Sequence, residues 1–349
     1  MGFKIGKVDL SGKPVIMAEA GVNHLGRMDY AEKLIRTASI AGADIIKFQT
    51  YKAKKLTTKD APRFWSWDGE ASINGSQYDS YSLLDSFGKD QYKYVMDLCC
   101  KYGINFLSTP FDEDAVDMLV ELGIEAFKIA SCDITNLPFL RYVAKTKLPI
   151  MLSTGAAEIE EIDRAVEAIK NEGNNSICLM HCTLCYPTKN TDANLSAITH
   201  MQKHFPGIPI GLSDHTIGID IPIASVLLGV KIIEKHFTFD KTLPLSADHW
   251  LSVDGDELRQ IVQKSKIVYD AIGIGKKVRL ECEELACTNA RRSVVAKRDI
   301  MEGEIINDSM IICKRPGTGI PPFEIDKILG KKVKHEIAED ILLQWSDFE

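Results

Sequence analysis

Eight short apolar runs, each with β-forming residues and a polar ending, punctuate the first three quarters of the chain. They are PVIMAEAG (14–21), ADIIKFQT (43–50), INFLSTPF (104–111), AFKIASCD (126–133), PIMLSTG (149–155), ICLMHCT (177–183), IPIGLSDHT (208–216) and VKIIEKHF (230–237). Amphipathic patterns lie between most of them. DYAEKLIRTASIAGA follows the first run, EDAVDMLVELG the third and EIEEIDRAVEAIKNEG the fifth. Each repeats apolar residues three and four apart, the period of a helix with one buried face. Several open on an acidic residue and close on glycine, as helix caps prefer. Strand and helix alternating eight times specify a parallel α/β architecture. Near-continuous apolar strands predict a closed (β/α)8 TIM barrel. A doubly wound open sheet is the alternative, but no G-x-G-x-x-G follows the first run.

The polar endings recur at every strand: Glu19 and Asn23, Lys47 and Gln49, Ser108 and Thr109, Lys128 and Ser131, Ser153 and Thr154, His181 and Thr183, Ser213 to His215, Glu234 and His236. In a barrel these ends converge on one face, where barrel enzymes keep their active sites. One polar strand end means little, whereas eight must each find a partner or a ligand.

Lys47 and Lys128 would repel each other in one mouth, so an anion between them is their natural partner. Hydroxyls of Thr109, Ser131, Ser153 and Ser213 supply donors, a set suited to phosphate or carboxylate. The plain alternative pairs the lysines with Glu19, Asp133 and Glu234. His215 and His236 end neighbouring strands, and two imidazoles with open positions suit a divalent transition metal. Each histidine taken alone reads first as a hydrogen-bonded core residue, and it is their position on neighbouring strands that turns the reading toward a metal. Cys182 and Cys185 form a C-x-x-C, but no second pair exists and no thioredoxin-type helix follows, so they read as two incidental thiols.

Composition narrows the class. The 349 residues are 45% hydrophobic and 26% charged, with a net charge of −7. This is globular composition, and a core of this size needs no disulfides. No Lys/Arg block stands out, so no nucleic-acid partner is expected. No apolar stretch reaches about 18 residues, so no membrane span is expected. The nine cysteines include Cys99 and Cys100 in VMDLCCKYG and Cys178 in ICLMHC. They read as buried free thiols of a reducing compartment, and with no leader pattern at the start the expected location is cytoplasmic.

Two segments stand outside the repeat. The insertion at 51–90 carries APRFWSWDGEAS and SQYDSYSLLDSF, aromatics that either lid the site or pack on the barrel. After DELRQIVQKSKIVYDAIG the pattern changes. We expect a barrel over 1–275, a charged linker over 276–290 and a compact, mostly β module over 291–349. In that module KRPGTGI is a tight loop displaying Arg315, in isolation a plain surface turn.

These motifs together resemble the sialic acid synthase family, the nonulosonic acid synthases. The resemblance is carried by AEAGVNHLG (18–26), KFQT (47–50), LSTPFD (107–112), FKIAS (127–131), LSTG (152–155), HCT-x-x-YPT (181–188), GLSDHT (211–216) and EKHFT (234–238). RRS-V-A-x-x-D-I-x-x-G-E and KRPGTGI resemble the family's antifreeze-like (SAF, β-clip) domain. The resemblance implies condensation of phosphoenolpyruvate with an N-acylated amino sugar to give a nonulosonic acid and phosphate. It implies a divalent metal, manganese first with magnesium or cobalt as alternatives, on His215 and His236. It places phosphoenolpyruvate on Lys47, Thr109, Lys128, Ser131, Ser153 and Ser213. Glu19 and Asp133 are the implied proton-handling carboxylates. Gln49, Tyr186, Asp248 and Arg315 are the implied sugar contacts, with Arg315 reaching the partner's barrel in a domain-swapped homodimer.

The departures lie on the sugar side. Asp133 stands where many relatives carry Glu, Ser246-Ala247-Asp248 replaces the usual Gly-Pro-Asp, and HCTLCYPT lacks an Asn that can precede the Tyr. ITNLP (134–138) resembles legionaminic acid synthases and FKIGK pseudaminic acid synthases. N-acetylmannosamine, giving N-acetylneuraminate, is the expected acceptor. The alternatives are a 2,4-diacetamido-trideoxyhexose, a phosphorylated aldose as in 3-deoxy-sugar acid synthases, a non-catalytic carbohydrate-binding relative, and a metal-dependent hydrolase.

Overall fold

Each of the eight apolar runs forms a strand: β1 Val15–Gly21, β2 Ile45–Thr50, β3 Asn105–Pro110, β4 Phe127–Ile129, β5 Ile150–Ser153, β6 Ile177–Cys182, β7 Ile210–Asp214 and β8 Ile232–His236. The computed structural model describes residues 3–65, 75–244 and 248–349. Helices follow the strands in turn: α1 Met28–Ala41, α2 Lys89–Tyr102, α3 Glu113–Glu121, α4 Leu137–Lys145, α5 Ile159–Asn171, α6 Ser196–His204, α7 Asp220–Ser225 and α8 Gly255–Ala271. All strand pairs are parallel, in the order β3-β2-β1-β8-β7-β6-β5-β4. That is sequential order, opened between β3 and β4 and joined between β8 and β1. A ring has this order and a doubly wound sheet does not.

The period of two along a strand sorts side chains into two layers. Met17, Ile45, Leu107, Met151, Met180 and Ile232 fill the barrel interior, plugged below by Phe3, Ile5 and Leu10 of an N-terminal hairpin. Ile16, Ile46, Phe127, Leu152, Leu179 and Ile233 face outward against the helices. Each large apolar side chain so buried contributes about 1.5–3 kcal/mol. Two residues further along five of these six inward rows, apolar gives way to Glu19, Lys47, Thr109, Ser153 and Glu234, and in the sixth Met180 is followed by Cys182. The interior is apolar below and charged above.

The chain divides into two compact units, Met1–Gly273 and Ile274–Glu349. The second has its own core, including Val294, Ile300, Ile320, Ile328, Val333 and Leu343. β9 Ser293–Ala296 pairs antiparallel with β10 Ile311–Lys314, and isolated bridges join Val295 to Leu342 and Ile300 to Ile337. Part of the expected linker is ordered within this unit as a 3-10 turn, Glu281–Glu283, and α9 Glu284–Ala290. Among the described residues, no helix is long and apolar enough to cross a membrane.

The cysteines are all free, but they are less uniformly buried than the sequence suggests. Cys99, Cys178 and Cys182 are buried, whereas Cys100 is exposed. Cys99 lies on the buried face of α2 and its neighbour is turned away by the helical period.

Candidate active site

The charged end of the barrel holds two lysines and two glutamates, none more than 4% exposed. Lys47 Nζ lies 2.6 Å from Glu19 Oε2 and donates to Thr109 Oγ1 at 3.0 Å. Across the ring, Lys128 Nζ donates to Ser153 Oγ at 2.6 Å and lies 3.6 Å from Glu234 Oε1. Ser213 Oγ donates to the same Glu234 oxygen at 2.9 Å, while Glu234 Oε2 has no hydrogen-bond partner among the described residues. The pairing of lysines with acids therefore engages Glu19 and Glu234. Asp133 instead accepts from Asn136 Nδ2 at 3.1 Å, within its own turn.

Burial and charge pull these groups in opposite directions. Burial pushes the Glu19 carboxyl up to about 7, against the attraction of Lys47. Burial also acts to raise Glu234, but Lys128 and Lys47 hold it below the ordinary carboxylate range. Burial raises Asp133 as well. Buried charges persist only when paired, and here two cations and two carboxylates share one enclosure. An arriving anion would meet ammonium and hydroxyl donors already aimed inward.

Glu19 Oε1 also accepts from Gln49 Nε2 at 2.9 Å. Gly21, in the left-handed region at φ +51°, packs beside them. A Cβ there would lie 3.3 Å from Gln49 Nε2, 3.3 Å from Glu19 Oε1 and 3.5 Å from Asp248 Oδ2. One glycine thus makes room for three expected site residues to converge. Burial lifts the Asp248 carboxyl to about 6. Ser131 Oγ accepts from the Gly155 amide at 2.9 Å, facing β5 from the turn after β4.

His215 and His236 stand side by side, ring centroids 5.2 Å apart, with Tyr186 at 4.3 Å and 6.0 Å from them. His215 Nδ1 donates to the Thr183 carbonyl at 3.0 Å, which leaves Nε2 as the lone-pair nitrogen of the neutral ring. Burial acts to lower the pKa of His215, but Cys182, 3.7 Å from Nδ1, the Thr183 carbonyl and Asp214 together raise it above its ordinary value. His236 is held well below its ordinary pKa by burial and then by His215. Among the described residues its buried Nδ1 has no hydrogen-bond partner, and Asp248 Oδ2 lies 3.6 Å away. An imidazole held neutral, beside a second imidazole and a carboxylate, fits a divalent ion. Among the described residues no cluster of three or more His, Cys, Asp or Glu is arranged to hold one. The two histidines would therefore leave most of the ion's positions to water and substrate.

Some polar strand ends face away from the mouth. His181 Nε2 bonds to the Ala193 carbonyl at 2.9 Å, and Ser108 Oγ to Thr50 Oγ1 at 2.7 Å. Asp214 and Lys235 form an ion pair in the outer layer. The alternation that turns Ser213 and His215 inward turns Asp214 outward. Cys182, the residue sequence reasoning set aside, lies against His215, and a Cβ on Gly155 would come within 3.1 Å of its sulfur. The inward spacing Ile232, Glu234, His236 was the available signal for Glu234.

In the 51–90 insertion, Tyr51 meets Tyr81 and Phe111 edge-on, at 5.4 Å and 5.9 Å, and Trp65 lies 5.7 Å from Tyr81. The rest of its aromatic stretch, 66–74, and Ser246-Ala247 lie outside the described residues. Arg315 is exposed in the second unit. Its loop is pinned by Ser293 Oγ, which donates to the Pro316 carbonyl at 2.7 Å and accepts from the Gly319 amide at 2.9 Å. The Gly317 amide donates to the Thr288 carbonyl of α9 at 2.8 Å.

Fold and site together define a class: a (β/α)8 enzyme whose strand ends gather two buried lysines and an imidazole pair, joined to a small β-rich module. The chain belongs to the NeuB family, whose model matches residues 34–277, and it carries a SAF domain at residues 291–349. It is 38% identical to the N,N'-diacetyllegionaminic acid synthase of Legionella pneumophila, over 96% of this chain and 94% of that one. It is 37% identical to the N-acetylneuraminate-9-phosphate synthase of Mus musculus, over 93% and 90%. The solved N-acetylneuraminic acid synthetase of Leptospira borgpetersenii, in complex with citrate, is 34% identical. It superposes with a TM-score of 0.72, covering 82% of this chain and 95% of that one.

Proposed function

We propose that this protein condenses phosphoenolpyruvate with the open-chain form of an N-acylated amino sugar, giving a nonulosonic acid and inorganic phosphate. The observation that carries the reading is the pair of buried lysines, Lys47 and Lys128, each hydrogen-bonded to a hydroxyl and facing one enclosure. Lys47, Thr109, Lys128, Ser153 and Ser213 hold the phosphate and carboxylate of phosphoenolpyruvate, with Ser131 beside them. Fixing the donor in this way supplies much of the rate advantage. C3 of phosphoenolpyruvate attacks the aldehyde carbon, water adds at C2, and phosphate leaves with C–O cleavage. Glu19, near 7, accepts or returns a proton at neutral pH, as a general acid–base group must. Asp133 is the second candidate for that role.

His215 and His236 would hold a divalent ion, manganese first, which supplies Lewis-acid polarisation of the sugar aldehyde when bound. Gln49, Tyr186 and Asp248 orient the sugar. Arg315 reaches it from the partner subunit of a swapped homodimer. The acceptor is N-acetylmannosamine. The identity to a legionaminic acid synthase favours a diacetamido-trideoxyhexose as the second reading.

The test is phosphate release from phosphoenolpyruvate by metal-loaded protein with a panel: N-acetylmannosamine, the two diacetamido-trideoxyhexoses and phosphorylated aldoses. Release that requires one N-acyl sugar supports the reading and names the product. Release with a phosphorylated aldose alone, or without any acceptor, contradicts it.

A further inference from the structure

Asp214 and Lys235 form a buried ion pair that nothing in the proposed reaction uses. Lys235 is 1% exposed and Asp214 4%. Both side chains lie in the outer layer, so neither touches a ligand in the mouth. They are register partners across the β7–β8 ladder, and Lys235 Nζ lies 2.5 Å from Asp214 Oδ2. The same ammonium donates to the Thr216 carbonyl. Asp214 in turn accepts from Thr216 Oγ1 at 2.9 Å and from the Thr216 amide at 3.2 Å.

The residue enclosed by this arrangement is His215. Asp214 and Thr216 flank it, and both are tied to Lys235, the residue immediately before His236. On the other side, the His215 carbonyl accepts from the Thr188 amide at 3.0 Å. An apolar pair would hold two strands together as well as a buried ion pair does. What the lysine adds is direction: it fixes a carbonyl beyond the strand end as well as a side chain.

We infer that the Lys235–Asp214–Thr216 cluster is a positioning device that sets the His215 imidazole against His236. The inference rests on the proposed role of the two histidines, and it concerns their geometry rather than their identity.

Lys235→Met alone strands Asp214 without a counter-charge and is expected to unfold. The informative variant is the neutral double Asp214→Asn/Lys235→Met, with Thr216→Val as a milder change that removes one hydroxyl. Melting temperature reports stability. Imidazole ¹⁵N shifts of metal-free protein report the His215 tautomer, and the visible spectrum on cobalt(II) titration reports the imidazole pair. His215→Ala is the reference.

The expected result is a double variant that melts within a few degrees of wild type, loses the single Nδ1–H tautomer and binds cobalt(II) at least tenfold more weakly. Thr216→Val shifts the same readouts two- to threefold. A stable double variant with the wild-type tautomer and cobalt spectrum overturns the inference, and so would an unstable double beside a Thr216→Val variant with unchanged signals. Cobalt uptake that persists in His215→Ala rejects the metal reading alone, and the tautomer comparison still decides the positioning role.

Discussion

Gly211 stands where the barrel interior has no room for a methyl group. A Cβ there would come within 2.4 Å of both Ile232 Cγ2 and Met180 Sδ, and within 2.9 Å of the Ile232 carbonyl. Gly211→Ala is therefore expected to cost about 1–3 kcal/mol, seen as a lowered urea midpoint. His24 makes a second residue-scale prediction. It is buried against Phe87, ring centroids 3.8 Å apart, and burial lowers its pKa to about 3 from an ordinary value near 6.5. A depressed folded-state pKa contributes stability that is complete above pH 6.5 and is lost as pH falls toward 3. The slope is about 1.4 kcal/mol per pH unit. Between pH 8 and 5 the wild type should lose about 2 kcal/mol more than His24→Phe, measured by denaturant titration at both pH values. A parallel loss in the two proteins would place the acid sensitivity elsewhere. Sequence alone identified the polar strand ends as a group but not their direction. Ser108, His181 and Asp214 look like mouth residues in a list and become outer-layer residues once the strand register is set.

The strands and long helices were legible because their periodicity is strong and each is closed by cap chemistry. α1, for example, ends on Gly42 at φ +89°. α9 was not legible, because it has seven residues and buries none of them, so no apolar face announces it. Its Thr288 carbonyl nonetheless anchors the loop that carries Arg315. Ser293 anchors the other side, since its hydroxyl makes two hydrogen bonds to that loop. Ser293→Ala should cost about 1–2 kcal/mol in the second unit and lower activity through the loop. Arg315→Ala should leave both units folded and lower activity strongly. Unchanged turnover in Arg315→Ala would remove this residue from the site. In the barrel unit, Asp254 accepts from the Asp256 and Glu257 amides at 3.0 Å and 2.9 Å and starts α8. Asp254→Ala should cost about 1 kcal/mol, read from the thermal midpoint.

The whole molecule combines an apolar lower barrel with a charged mouth, and this division lets one ring of strands serve both stability and chemistry. Apolar residues two positions below Glu19, Lys47, Thr109, Ser153 and Glu234 bury the strands. The polar ones meet where the strands end, around two lysines and two imidazoles. The motif order along the sequence identifies the family, while the pairing of Lys47 with Glu19 and of Lys128 with Glu234 required the closed ring. Asp133, one of the sequence's departures from the family pattern, bonds within its own turn. The most direct test of the account uses phosphoenolpyruvate labelled with ¹⁸O at the bridging oxygen, with metal-loaded protein and an N-acyl amino sugar, followed by mass spectrometry of both products. The account predicts one new acid with the combined carbon skeleton of sugar and pyruvate, and the label wholly in inorganic phosphate. Label retained in the organic product, or pyruvate and phosphate with no condensed acid, would contradict it.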